Sequence, residues 1–174
     1  MSRPLDVSDL PSHGQNMSLE ATPAECEALC HRFGLEALSD LSARLLIERA
    51  RTRDGVRAIR VRGSFSAEVT QICVVTLDSF NVQVADELDI YFVSPTELAD
   101  GESDSVDTLS EETLEPLVTP EIDLGELVAQ HVALTLDPHP RRPGAIAQPG
   151  EAAADVAHKA DNPFAVLGQL KHKM

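Results

Sequence analysis

The fold is decided by residues 57–93, which read RAIRVRGSFSAEVTQICVVTLDSFNVQVADELDIYFV. Apolar side chains hold most odd positions from residue 59 to residue 77, and polar side chains hold the even positions up to residue 70. This period of two predicts a strand with one face on a core. The parity then changes, as a two-residue loop at Asp78-Ser79 requires. The sequence therefore predicts an antiparallel hairpin in which Leu77 faces Phe80, Val75 faces Val82 and Phe65 faces Phe92.

Residues 35–52 precede this hairpin and admit two interpretations. Their leucine, alanine, glutamate and arginine content favours a helix, whereas their apolar odd positions favour a strand. A three-residue loop, Arg53-Asp54-Gly55, decides for the strand if Gly55 is left-handed. The strand then pairs Ile47 with Val61, Ala43 with Phe65, and Glu48 with Arg60 as an opposite-charge pair.

A first helix is predicted after Thr22, which is a good N-cap. Pro23 occupies the first helical position, Glu25 completes a capping box, and Gly34 ends the helix. One face carries Cys26, Leu29, Cys30 and Phe33. Cys26, Cys30 and His31 resemble a metal-ligand set, but cysteines on an apolar stripe are typical core residues.

A second helix is predicted after Asp123, with Glu126 at the capping-box position. His131 on its apolar side is interpreted as a packed residue because no second metal ligand lies nearby in the sequence. The predicted apolar stripe consists of Leu124, Leu127, Val128, His131 and Leu134.

The predicted fold class is α+β, with an antiparallel meander sheet and flanking helices. The sequence is compatible both with an open sheet and with a sheet that curves into a barrel. Edge strands are expected around residues 5–7 and 16–20. The domain is predicted to span residues 1–137, with a mobile acidic loop at about 95–120. A linker rich in proline, glycine and alanine follows at 138–161.

A short amphipathic motif is predicted at residues 162–174. Its predicted docking residues are Asn162 and Pro163 as the cap and Phe164, Leu167 and Leu170 as apolar anchors. Two interpretations stay open: the motif docks on a partner, or it folds back over its own domain.

Composition limits the class of protein. The sequence has no apolar run of about 18 residues, no signal-peptide pattern, and three cysteines without paired spacing, so we expect a cytoplasmic protein that does not enter a membrane. No catalytic, phosphate-binding or zinc-binding pattern is found. We therefore expect neither an enzyme nor a cofactor.

Charge is unevenly distributed along a chain of net charge −15. No lysine or arginine occurs between Gly63 and Pro140, a span with seventeen acidic residues, whereas seven arginines lie between Arg44 and Arg62. A local basic patch can hold phosphates even on an acidic protein. The alternative interpretation is that these arginines bind no phosphate and form only a solvated, charged sheet face beside an acidic loop.

Three blocks of the chain resemble the YceD family, the large ribosomal RNA subunit accumulation proteins. They are residues 73–80, residues 122–140 and the end at residues 162–171, which is the most specific block. The resemblance implies a non-enzymatic factor needed for accumulation of large-subunit ribosomal RNA. Many members of that family carry Cys-x-x-Cys at the hairpin turn, which suggests a metal site in those members. Here Thr76 occupies the position of the second cysteine after Cys73, so the resemblance does not imply a metal site in this chain.

Two partners are compatible with this resemblance. The first is ribosomal RNA or a pre-ribosomal particle, bound without reading base sequence. The predicted RNA-binding residues are Arg44, Arg60 and Arg62 on the solvent-facing side and Arg51 and Arg57 near the loop. The alternative is an adaptor that binds a basic ribosomal protein through its acidic span.

Overall fold

The computed structural model describes residues 1–96 and 113–146. Their strands are β1 (Pro4–Asp6), β2 (Gln15–Glu20), β3 (Ala37–Arg51), β4 (Arg57–Ile72), β5 (Ser79–Val93), β6 (Thr113–Pro116) and β7 (Glu121–Asp123). Their helices are α1 (Pro23–Phe33) and α2 (Leu124–Thr135). A sheet accompanied by helices agrees with the α+β prediction, and β1 and β2 coincide with the two edge strands expected near the N-terminus.

The hairpin of β3 and β4 confirms the strand prediction and its register. Ile47 lies opposite Val61 and Glu48 opposite Arg60. In the turn, the Gly55 N–H donates to the Thr52 oxygen over 2.9 Å, and Gly55 has a φ of +84°. Glycine adopts this left-handed conformation without steric cost, so the turn fixes the register of both long strands.

The hairpin of β4 and β5 has the predicted faces but a different register. Val82 lies opposite Val69 instead of Val75, a shift of six residues, and Phe65 faces Asp86 instead of Phe92. The connection takes up residues 73–78, because the Leu77 N–H donates to the Cys73 oxygen over 2.9 Å and Leu77 turns left-handed with a φ of 61°. Because six is even, the predicted apolar side chains of β5 still face the core, whereas Val75 and Leu77 lie in the turn and Leu77 is exposed.

The large sheet is open and mixed, in the order β2-β3-β4-β5-β6. Neighbours from β2 to β5 are antiparallel, but β6 runs parallel to β5, with Thr113 opposite Ile90. The purely antiparallel meander is therefore not confirmed, and the sheet is not a closed barrel. Strand β6 lies inside the segment predicted as a loop, and residues 97–112 of that segment lie outside the described part. Strands β1 and β7 form a separate pair.

Helix α1 begins and ends as predicted. The Thr22 hydroxyl accepts from the Glu25 N–H, the Glu25 carboxylate accepts from the Thr22 N–H, and Gly34 is left-handed with a φ of 68°. Cys26 and Leu29 are buried in the core. The interpretation of Cys26 as a core residue agrees with this placement.

Helix α2 begins at the predicted cap, but two details of its prediction are wrong. Asp123 caps it by accepting from the backbone of Gly125 and Glu126. The Glu126 side chain does not complete a capping box, because it bonds to Arg32 on α1 instead. Leu134 is 80% exposed and lies outside the apolar stripe.

One apolar core joins the sheet to both helices. Its fully buried side chains include Leu29, Leu41, Ile47, Val61, Val69, Ile90, Leu124, Val128 and Val132. The core covers one face of the sheet, so the even-numbered side chains in the centres of β3 and β4 point away from the helices.

The chain divides into two compact units, residues 1–141 and residues 142–174. Only residues 142–146 of the second unit are described, so most of the predicted linker and the motif from Asn162 onward lie outside the described residues. Among the described helices, none is long and apolar enough to cross a membrane.

Candidate nucleic-acid interface on the arginine hairpin

The arginine hairpin, defined here as β3, β4 and their turn, carries all five arginines predicted to bind RNA. Arg44, Arg60 and Arg62 alternate with the buried core side chains of their strands and share the outer face of the sheet. Arg51 and Arg57 lie opposite each other beside the turn. The hairpin therefore brings the predicted residues onto one face and one end.

Arg60 is held in place by acidic and aromatic neighbours. Its Nε and Nη2 atoms donate to the two carboxylate oxygens of Asp89 over 2.8 and 2.5 Å, and its guanidinium carbon lies 5.2 Å from the centre of the Tyr91 ring. The hydrogen bonds with Asp89 raise the pKa of Arg60 and lower that of Asp89. A bidentate pair on an aromatic ring is a rigid arrangement for an arginine.

Arg62 and Arg60 share a second carboxylate. The Oε1 atom of Glu48 lies 3.2 Å from Arg62 Nε and 3.8 Å from Arg60 Nη1. The Arg62 side chain is 48% exposed, compared with 26% for Arg60. Arg62 can therefore reach an external phosphate more easily than Arg60.

Arg44 and Arg57 are exposed, and within the described part of the chain neither makes an ion pair. Arg51 is exposed too, and it donates to the Gly55 carbonyl over 2.6 Å, which braces the turn. Arg49 serves the fold instead, since it donates to the Ser8 carbonyl over 2.6 Å. The arginines best placed for an external anion are Arg44 and Arg57.

Gly63 sets the spacing between the arginine-bearing strands. A Cβ at this position would overlap the carbonyl oxygen of Arg44 and come within 2.9 Å of the Leu45 Cα. Only glycine permits so close an approach of two backbones. Arg44 and Arg62 therefore lie on strands held unusually near each other.

A second charged cluster joins the helices and the N-terminal segment. Arg3 forms a bidentate pair with Glu25 at 2.7 and 2.9 Å and lowers the pKa of that carboxyl to about 2. Arg32 forms another with Glu126 at 2.8 and 2.7 Å. These pairs connect elements distant in sequence, which indicates a structural role.

Neither cysteines nor histidines assemble into a site in the described part of the chain. No group of three or more cysteine, histidine or acidic side chains is placed to hold a metal ion there. Cys26 and Cys73 are buried, and burial raises the pKa of the Cys30 thiol. His131 packs on α2 with its Nδ1 2.9 Å from the Leu127 carbonyl.

The partners Asp89 and Tyr91 were missed by sequence reasoning. They lie opposite Arg62 and Arg60 in the observed register. The predicted two-residue turn would have placed residues 95 and 97 opposite the same arginines. The missing signal was the length of the turn, since the residue types themselves are typical arginine partners.

Comparison with known proteins gives one finding. The sequence profile of the family described as large ribosomal RNA subunit accumulation protein YceD matches residues 61–171. No curated protein and no solved structure matches the chain significantly. The matched range covers most of the chain, including β4 from Val61 onward, β5 and α2. This chain therefore belongs to the YceD family of large ribosomal RNA subunit accumulation proteins.

Proposed function

We propose that this protein is a non-enzymatic, cytoplasmic ribosome-biogenesis factor that binds large-subunit ribosomal RNA or an early assembly intermediate through the arginine hairpin. The family description supports the link to ribosomal RNA accumulation. The observation that carries the RNA contact is the placement of five arginines on one hairpin, with Arg44 and Arg57 exposed and unpaired in the described structure.

The arginines have unequal roles in this proposal. Arg44 on the outer face and Arg57 beside the turn, with Arg51 opposite Arg57, contact phosphates directly, because neither Arg44 nor Arg57 makes an ion pair within the described residues. Arg62 joins them by leaving Glu48, since an exposed ion pair contributes only about 0–1 kcal/mol. Arg60 shares the outer face with Arg44 and Arg62, but Asp89 and Tyr91 hold it, so it is not free to contact a phosphate. Such contacts bind RNA by its backbone and not by base identity.

The test is binding of a fragment of large-subunit ribosomal RNA over a series of salt concentrations. Replacing both Arg44 and Arg57 by glutamate should weaken binding and lower the salt dependence by about one phosphate contact for each arginine. The double variant Arg141→Glu, Arg142→Glu, which makes the same charge change at exposed positions outside the hairpin, is the matched control. Equal losses in both variants would reduce the effect to net charge and remove the hairpin from the mechanism.

The alternative function is an adaptor for a basic ribosomal protein. The absence of lysine and arginine between Gly63 and Pro140 favours it, because that span presents a field suited to a cationic partner. A pull-down with and without nuclease distinguishes the two functions. Retention of a basic ribosomal protein after RNA removal supports the adaptor, and loss of every partner supports direct RNA contact.

A further inference from the structure

The turn between β4 and β5 exposes several apolar side chains at the end of β4 farthest from the arginines. Ile72 is 46% exposed, Val74 is 47% exposed and Leu77 is 77% exposed. Isolated exposed apolar residues are ordinary on protein surfaces, but a group within one turn is not. This turn, residues 72–77, is called the apolar turn below.

A groove runs beside the apolar turn and extends its surface. It measures about 420 Å³, and its larger apolar lining residues are Phe33, Leu35, Ile72, Leu136, Pro138 and Pro140. The Val74 N–H donates to the Pro140 oxygen over 2.9 Å, and the Gln71 side chain donates to the Asp137 carbonyl over 3.3 Å. These bonds hold the turn against the groove wall, so turn and groove form one surface.

Leu77 has an unfavourable backbone conformation with no compensating burial. Its φ of 61° is the left-handed conformation that glycine usually supplies at the end of a helical turn. A bulky apolar side chain here strains the backbone and also remains in water. Strain of this kind, kept where packing gives nothing in return, is typical of binding sites.

The charges around the groove limit the class of partner. Glu36 and Asp137 line it, and none of its described lining residues is a lysine or an arginine; Arg141 follows in sequence but is not among them. Carboxylates repel RNA phosphates, and a second copy of this chain would bring the same carboxylates face to face. They attract a cationic protein segment whose apolar side chains fit the groove.

We propose that the apolar turn and its groove are a docking site for a cationic protein segment with apolar anchors, and that Leu77 is the central contact. This proposal rests on the adaptor function, because that function supplies the class of partner, and it adds the surface at which such a partner would bind. The surface lies at the end of β4 farthest from the hairpin arginines, so variants of these arginines test the RNA proposal without altering this site.

The experiment measures binding of a labelled synthetic peptide rich in leucine and lysine to the full chain by fluorescence anisotropy. Leu77→Gly should weaken binding about tenfold or more, because it removes the apolar contact. Glycine also adopts the left-handed conformation of residue 77 without strain, so the variant should stay folded and lost binding cannot be attributed to unfolding. Leu134→Ser is the matched control, since Leu134 is similarly exposed at 80% but lies on α2, in neither the apolar turn nor the groove lining.

Three outcomes would overturn the proposal. The full chain fails to bind the peptide, Leu77→Gly binds as well as the wild type, or Leu134→Ser weakens binding to the same degree. Equal binding of a peptide with glutamate in place of lysine would overturn the choice of a cationic partner. The adaptor function itself is judged separately by the nuclease pull-down, so its failure and the failure of this site are distinguishable.

Discussion

Gly63→Ala should be among the most destabilising single substitutions in this chain. The added Cβ would overlap the Arg44 carbonyl oxygen and lie 2.9 Å from both the Arg44 carbonyl carbon and the Leu45 Cα. An ordinary carbon–carbon contact is about 3.5–4 Å. All three atoms belong to the backbone of a paired strand, so no side-chain rotation relieves the clash.

The expected loss in the free energy of unfolding is about 3 kcal/mol or more, at the upper end of overpacking costs. For a chain of this size that loss lowers the melting temperature by about 10 °C. Circular dichroism melts and urea titrations of the full chain measure both quantities.

Gly34→Ala is the control for the loss of a glycine. A Cβ at Gly34 meets nothing within 4 Å, and only its left-handed φ of 68° is disturbed. We therefore expect a smaller loss, about 1 kcal/mol. If Gly63→Ala proves no more harmful than Gly34→Ala, the close approach of β3 and β4 at this point is refuted, and with it the spacing of Arg44 and Arg62.

Three further predictions concern the charged groups and the apolar turn. Hydrogen bonds from Arg3 lower the pKa of Glu25 to about 2, below its ordinary value of 4.5, so the stability that this carboxylate contributes is complete above pH 4.5 and is lost as the pH falls toward 2. Urea midpoints measured across that range should fall less for Glu25→Gln than for the wild type, and parallel curves would contradict the prediction. Leu77→Gly should raise the free energy of unfolding by about 1 kcal/mol, measured by urea titration, because the left-handed backbone is no longer strained; a loss of stability would show that the exposed leucine has a packing role. Asp89→Asn should free Arg60 to contact a phosphate and so strengthen binding of ribosomal RNA in filter-binding assays, and unchanged affinity would exclude Arg60 from the contact.

The β3–β4 hairpin could be predicted from the sequence because several local signals agree. Gly55 supplies the left-handed turn residue, and the pair of Glu48 and Arg60 fixes the same register as the apolar alternation. The β4–β5 turn has no such signal. A leucine takes the position that glycine usually occupies, so the turn length could not be recognised and only the alternation of faces was predicted correctly.

Strand β6 was missed for a related reason. Four residues in an acidic segment have neither the length nor the apolar content of a recognisable strand, and their pairing depends on β5 being in place. At the candidate site the arginines and the pairing of Glu48 with Arg60 could be predicted, but the partners Asp89 and Tyr91 could not. Asp89 and Tyr91 lie opposite Arg62 and Arg60 only in the observed register. Because the turn length was predicted wrongly, the sequence could not distinguish the arginines that are paired with acidic residues from those that are free to bind an external anion.

Strand β4 has a mechanical consequence through its length. From Arg57 to Ile72 it spans sixteen residues, which corresponds to a contour of roughly 50 Å. Hydrogen bonds to β3 and β5 on its two sides keep it from stretching or folding over. A ligand bound near Arg57 and a ligand bound near Ile72 would therefore be held at a fixed distance from each other by β4.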